Sequence, residues 1–209
     1  MILVEVVVPE GRLDDADRDR LAGDVTRGLL TASGAPETTM ARARAVTHVW
    51  FREAQGWHTG DGPVAADDAP PVVVNVTAPE AWREEMSAVV IAVVRAAVGR
   101  LDARRHWTRP GGDLWVNVRG VQDGSIGLDG RASTAADLVR YVTADFRASG
   151  DAGVEHDLPD GLLRDPVCGM QVRAGATALT LDHDGRTVGF CSRGCRAAYA
   201  EEHGLALPA

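Results

Sequence analysis

Cysteine is absent from the first 167 of the 209 residues, and the chain also lacks a net basic charge and any long apolar run. The formal net charge of -8 leaves no large basic face, so we expect no nucleic-acid partner held through phosphates. The longest apolar run, Val89 to Val98, is interrupted by Arg95 and is too short to cross a bilayer. The first residues lack the basic start and the small-residue cleavage site of a signal peptide. We therefore expect a cytoplasmic protein with no membrane partner.

The three cysteines that are present crowd into the last quarter of the chain. Cys168 lies in DPVCGM, and Cys191 and Cys195 lie in FCSRGC. A structural disulfide is disfavoured in the cytoplasm, and an odd cysteine count would leave one thiol unpaired. Three alternatives stay open: a metal site, a reduced cluster of buried thiols, or a redox disulfide with a third, resolving thiol.

The rest of the sequence repeats one pattern twice. ILVEVVVP and VVVNV are runs of β-branched residues typical of buried strands, and each is followed by a helical spacing of apolar residues and then by another strand. Pro9 ends the first strand of one unit, and Pro79 ends the corresponding strand of the other. Two β-α-β units with right-handed crossovers can form one sheet. We predict an α+β fold with a four-stranded sheet and two helices on one face.

Two segments rich in small, acidic and turn-forming residues divide the chain. DGPVAADDAPP joins the two repeat units, and residues 147–161 separate the repeat from the cysteine-bearing tail. We predict a double β-α-β domain at 1–146, a linker at 147–161 and a small β-hairpin and helix module at 162–209. A unit this small has a thin core and commonly needs a metal for stability. Whether it docks on the first domain or moves freely stays open.

The repeat resembles the tautomerase superfamily in the motifs VEVVVPEGRLDD, GAPETT, THVWFREAQGW and WVNVRGVQDGSIGLDG. The resemblance spans roughly residues 1 to 140 and implies a homotrimer, as is typical of members with two fused units. It also implies a substrate-binding role for Arg12, which matches the family's arginine after the first strand. The alternative interpretation of Arg12 is a solvated residue near a helix start.

The catalytic proline of that family has no counterpart here. In the family, proline follows the initiator methionine, and its secondary amine is the general base or nucleophile; this sequence has Ile2, which cannot move a proton. Methionine removal is disfavoured before a large residue, so we expect Met1 to be retained. Pro71 stands where the second unit would carry its proline, but its nitrogen is an amide without basicity. The usual tautomerase chemistry is therefore not expected.

The tail resembles the YHS domain family, small metal-linked modules related to the TRASH group. The matching residues are DPVCGM, then GRT, FCSRGC and the Ala198-Tyr199 pair. The family's tyrosine before the Phe-Cys pair is replaced by the Val188-Gly189 stretch. The resemblance implies that the tail binds a metal.

The spacing of the cysteines independently suits a metal site. A helix beginning near Ser192 would place Cys191 and Cys195 one turn apart on one face, and its amino terminus would lower the pKa of a thiol. A hairpin turning at His183-Asp184-Gly185 can bring Cys168 over that helix. Three thiolates suit zinc, Cu(I) or a heavier soft ion, and we expect one zinc or copper ion per chain.

The fourth metal ligand is open among His183, Met170 and solvent. A solvated turn residue is the alternative interpretation of His183, and core packing is that of Met170. His203, after the helix, is interpreted as solvated.

Three functions follow from these observations. The first is a metal-binding protein whose thiolate site is displayed on a catalytically altered, tautomerase-like trimeric scaffold. The alternative is a divergent tautomerase-superfamily enzyme acting on a small carboxylate or keto substrate through Arg12, with the tail as a structural or catalytic metal site. The third is an assembly module whose zinc-stapled tail is a contact surface.

Overall fold

A computed structural model of the chain describes residues 2–31, 35–65, 68–149, 158–175 and 178–207. Met1, which we expected to be retained, lies outside them, as do residues 150–157 of the predicted linker. Among the residues described, no helix combines the length and apolarity needed to cross a lipid bilayer. The strands and helices run, in chain order, as β1 (Ile2–Pro9), α1 (Asp15–Leu30), α2 (Glu37–Ala45), β2 (Thr47–Ala54), β3 (His58–Thr59), β4 (Gly62–Pro63), β5 (Val72–Pro79), α3 (Glu80–Arg105), β6 (Leu114–Val121), β7 (Ile126–Leu128), β8 (Arg131–Ser133), α4 (Ala135–Ala148), β9 (Leu162–Arg164), β10 (Gln171–Arg173), β11 (Leu179–His183), β12 (Arg186–Phe190) and α5 (Arg193–His203).

The four long strands form one sheet in the order β2-β1-β5-β6. β1 pairs with β2 in parallel, β5 pairs with β6 in parallel, and the two units meet where β1 and β5 run antiparallel. α1 and α3 are the crossover helices of the two units. The predicted fold class, a tandem β-α-β repeat with a four-stranded sheet, is confirmed.

One face of the sheet is packed against the crossover helices. Alternate residues of β1 and β5, such as Val6 and Val74, are buried there because successive side chains of a strand point to opposite faces. They form one apolar cluster with Leu21 of α1 and with Val94 and Leu101 of α3. This shared core fixes the two repeat units to each other.

The other face of the sheet carries polar and aromatic side chains. The Asn75 amide donates to Glu5 Oε2 at 2.9 Å, and the Asn117 amide donates to Asn75 Oδ1 at 3.1 Å. Trp50 and Trp115, on the two edge strands, are 42% and 63% exposed. In the part of the chain described, no helix contacts this face as α1 and α3 contact the other one.

Helices α2 and α4 were not predicted, and they pack against each other beside the sheet. The sequence did carry a start signal for α4: the Thr134 side chain accepts from the Asp137 N–H while the Asp137 carboxylate accepts from the Thr134 N–H, a capping box. α4 continues to Ala148, so the domain boundary predicted at residue 146 falls within its last turn.

The described residues of the tail form two short antiparallel strand pairs and one helix. β9 pairs with β10, and β11 pairs with β12 around a two-residue turn at Asp184 and Gly185. Both turn residues have positive φ, which is the backbone of the tight turn that joins adjacent antiparallel strands. The hairpin follows the prediction, and so does the start of α5 at Ser192.

Candidate metal centre

Cys168 lies in a tight loop between β9 and β10. The Asp165 N–H donates to the Met170 carbonyl at 2.8 Å, and the Gly169 N–H donates to the Asp165 carbonyl at the same distance. Gly169 follows the cysteine with φ +78°, a left-handed conformation that glycine adopts without steric cost. These bonds close the loop and hold the Cys168 side chain on its inner side, where the residue is buried.

The other two cysteines flank the start of α5. Cys191 directly follows β12, and Ser192 caps the helix by accepting from the Cys195 N–H at 3.2 Å. Cys195 is therefore in the first helical turn, one turn beyond Cys191. This local geometry is the one expected from the sequence.

The three sulfurs lie in mutual contact without a disulfide. Cys168 Sγ is 3.5 Å from Cys191 Sγ, and Cys191 Sγ is 3.7 Å from Cys195 Sγ. A disulfide would require about 2.05 Å. For a tetrahedral ion with metal–sulfur bonds of about 2.3 Å, the edge between two sulfurs is about 3.8 Å. The observed separations are therefore close to those of thiolates that share one ion.

Asp165 joins the three cysteines as the fourth possible ligand. A carboxylate oxygen of Asp165 and the three sulfurs all lie within 4.8 Å of one another. Oδ1 accepts from the Val167 N–H at 2.8 Å and from the Cys168 N–H at 3.4 Å, and Oδ2 accepts from the Cys191 N–H at 2.8 Å. One carboxylate thus links the two cysteine-bearing loops. Each oxygen has two lone pairs, so Oδ2 keeps one free for a metal.

The electrostatics of this cluster favour an added cation. Asp165 is fully buried, and its burial, together with the nearby charge of Cys191, raises its pKa to about 6. The S–H groups of Cys168 and Cys195 hydrogen-bond to the Cys191 sulfur and lower the pKa of Cys191 to about 3. The bond to Cys191 conversely raises the pKa of Cys168. A buried carboxylate and a buried thiolate in contact are costly unless a positive charge accompanies them.

Asp165 was not predicted as a site residue from the sequence, although it is the first residue of the DPVCGM motif. The signal that could have found it is its position three residues before Cys168, where an aspartate can accept backbone N–H groups of the following turn.

Of the two side chains considered from the sequence as the fourth ligand, His183 contacts other groups. His183 Nδ1 is 2.7 Å from the Tyr199 hydroxyl, and the His183 ring packs near that of His203, at 4.7 Å between centroids. Met170 is half-buried and packs against the apolar cluster of the tail, which includes Cys168 and Cys195. His183 is not among the residues grouped around the sulfurs in the described chain, and a ligand role for Met170 stays a prediction.

The residues singled out from the tautomerase resemblance lie at the joint between the repeat units and at the starts of two strands. The Arg12 guanidinium donates to the carbonyl of Ala65 at 2.8 Å and to that of Asp68, both in the segment that joins the two repeat units. Ile2 packs against the core of the sheet, and Pro71 is buried at the start of β5. A substrate-binding role for Arg12 stays a prediction.

The loop that holds Cys168 rests on the first part of the chain. The Thr39 hydroxyl, from α2, donates to the Cys168 carbonyl at 3.0 Å in a buried position. A Cβ added to Gly169 would lie 2.4 Å from Pro36 Cγ and 2.7 Å from the Phe146 ring. The backbone beside Cys168 therefore lies in direct contact with α2 and α4.

The amino terminus of α5 rests on α3. Glu85 accepts from the Arg193 N–H at 3.0 Å, and the Arg193 side chain pairs with Glu84 at 2.9 Å. A Cβ added to Gly194 would lie 2.9 Å from the Trp82 Nε1 atom. Both halves of the cysteine cluster are thus packed against the four-stranded part of the molecule, which answers the question of docking that the sequence left open.

Comparisons with known proteins find similar solved structures but no matching family model or curated protein. Among solved structures, "R7 fused 4-OT wild type asymmetric trimer" is 18% identical with a TM-score of 0.47, covering 62% of this chain and 94% of that one. "Macrophage migration inhibitory factor Toxoplasma gondii" is 15% identical with a TM-score of 0.45, covering 62% and 98%. "Crystal Structure of Native Ps01740" is 17% identical with a TM-score of 0.46, covering 60% and 99%. At these values the comparisons carry no argument about activity.

Proposed function

We propose that the chain is a metal-binding protein in which Cys168, Cys191 and Cys195 hold one ion and Asp165 supplies the fourth ligand. The observation that carries the proposal is the pair of sulfur separations, 3.5 and 3.7 Å, beside a buried carboxylate. Thiolates held this close to one another and to a buried carboxylate repel, whereas a shared cation compensates their charge. The resemblance of the tail to YHS domains supports the same function.

Zinc is the ion that this ligand set favours over copper. Zinc accepts sulfur and carboxylate oxygen together in a tetrahedral site, while Cu(I) is selected by soft sulfur ligands alone. In a copper site, Asp165 would therefore not bind the metal and would only hold the two cysteine-bearing loops together through its hydrogen bonds. The free thiols also fit a reducing compartment, and we propose a cytoplasmic location.

The four-stranded part serves, in this proposal, as a tautomerase-like scaffold that assembles into a homotrimer. The support is the sheet face that carries Trp50 and Trp115, since exposed aromatic side chains on an uncovered face commonly mark a protein contact. We propose that the scaffold occupies residues 1–146 and the metal module 162–209. Light scattering after size exclusion measures the assembly: a trimer that a Trp50→Arg variant dissociates supports it, and a monomer at micromolar concentration contradicts it.

Metal content of protein purified without an affinity metal column tests the metal proposal. We expect about one zinc per chain in the wild type and none in a Cys168→Ser, Cys191→Ser, Cys195→Ser variant. Far-ultraviolet circular dichroism of that variant should retain the signal of the sheet and of α1 and α3, whose core excludes the tail. No metal in the wild type, even after loading under reducing conditions, would contradict the proposal and favour a reduced thiol cluster.

A further inference from the structure

A pocket of about 460 Å³ opens where β5 and β6 begin, away from the cysteines. This volume lies in the range of small-molecule sites. Its wall includes Trp57, Thr59, Pro71, Asp113, Trp115 and Asn117.

The pocket wall carries negative but no positive charge. Asp113 is the only charged residue among the described lining residues, and no hydrogen bond or ion pair of the described chain engages its carboxylate. The chain contains no lysine, so every cationic side chain other than histidine is an arginine. A carboxylate ligand would therefore meet repulsion here without a compensating partner.

Two arginines that reach the segment before Pro71 are bound to other groups, and Arg119, two residues beyond Asn117, is not part of the pocket wall. Arg109 pairs with Asp102 at 2.7 Å and also donates to the Pro70 carbonyl. Arg12 is held by the two backbone carbonyls described above. Neither guanidinium is free to turn into the pocket without breaking these bonds.

Two tryptophans line the wall, and no cation of the described chain lies over either ring. The cation–π contacts among described residues fall on Tyr141, from Arg42, and on Trp107, from Arg105. The rings of Trp57 and Trp115 receive none. An indole face is the aromatic surface that attracts cations most strongly, through the negative face of its quadrupole.

We propose that this pocket binds an organic ammonium ion, of the trimethylammonium class, between Trp57 and Trp115 with Asp113 as the counter-ion. Methyl groups of such an ion contact the apolar wall while its diffuse charge faces the indole rings and the carboxylate. The net charge of -8 adds a long-range attraction for cations. The proposal is independent of the metal function, and it assigns the pocket beside Pro71 a ligand of opposite charge to the small carboxylates considered from the sequence.

Titration of the full-length protein with choline tests the proposal, followed by the indole N–H signals of its five tryptophans in ¹⁵N-labelled protein. We expect the Trp57 and Trp115 signals to shift on saturation and those of the other three tryptophans to stay. Two ligands of matched shape serve as comparisons: neutral 3,3-dimethyl-1-butanol and anionic 3,3-dimethylbutanoate. Choline should bind at least roughly tenfold more tightly than the neutral compound, and the anion should not bind.

Variants of the pocket wall distinguish the contribution of charge to choline binding from that of apolar contact. Trp115→Leu should weaken choline binding by roughly fivefold to thirtyfold. Asp113→Asn should weaken choline but not the neutral alcohol, because the Asp113 carbonyl still accepts from the Val72 N–H. Asp160→Asn, at an exposed position of the tail outside the pocket wall, is the charge-matched control and should leave binding unchanged.

The oligomeric state is recorded in the same samples, since a second copy on the open sheet face would border the pocket along Trp115. Equal binding of choline and the neutral alcohol, preference for the anion, or no binding by any of the three would each overturn the proposal.

Discussion

Replacement of Gly169 by alanine should loosen the contact between the Cys168 loop and the rest of the molecule. Gly169 has φ +78°, where a side chain costs about 1–2 kcal/mol. The new methyl group would lie 2.4 Å from Pro36 and 2.7 Å from Phe146, and forcing extra volume into a packed site costs about 1–3 kcal/mol. We therefore expect Gly169→Ala to lower the free energy of unfolding by about 2–5 kcal/mol, measured by urea denaturation of metal-loaded protein.

Gly204→Ala is the matched control for this experiment. Gly204 ends α5 with φ +64°, but a Cβ there would meet no atom within 4 Å. It should show only the backbone cost of about 1–2 kcal/mol. If Gly169→Ala costs no more than Gly204→Ala, the cysteine loop does not pack on α2 and α4, and the docking described above is refuted.

Three further predictions concern the metal and its supports. Asp165→Asn should weaken zinc binding by roughly 10- to 100-fold, because a carboxylate oxygen that binds the metal or orients its ligands is lost. Competition with a chromogenic chelator measures the affinity, and an unchanged affinity would show that Asp165 is not part of the site. Thr39→Val should destabilise the folded state by about 1 kcal/mol, because the hydrogen bond to the Cys168 carbonyl is lost. Urea denaturation measures the change, and Thr38→Val, at an exposed position, is the control. Acidification should release the metal, because protons compete for the thiolates; a metal content independent of pH from 7 to about 4 would contradict thiolate ligation.

The fold was predictable from the sequence wherever a local pattern decides the structure. Alternating or continuous valines identified the strands, and apolar spacing identified α1 and α3. α2 was not predicted because it is short, follows Pro36 without a side-chain cap and shows little separation of polar and apolar faces. α4 was not predicted either, although Thr134 and Asp137 form a capping box at its start.

The parts of the candidate site that depend on residues close in sequence were predictable. The hairpin turn, the Ser192 cap and the spacing of Cys191 and Cys195 all depend on residues within a few positions. The supports of the site depend on contacts over long separations: Thr39 meets Cys168 across 129 positions, and Glu85 meets Arg193 across 108. No periodicity in one sequence reports such pairs, so docking could only be read from the three-dimensional structure.

X-ray absorption at the metal's K-edge is the most direct test of the central claim. The account predicts three sulfur ligands at about 2.3 Å and one oxygen ligand at about 2.0–2.2 Å around zinc, with the oxygen lost or replaced in Asp165→Asn. A first coordination sphere with fewer than three sulfurs, or one made only of nitrogen and oxygen, would contradict it.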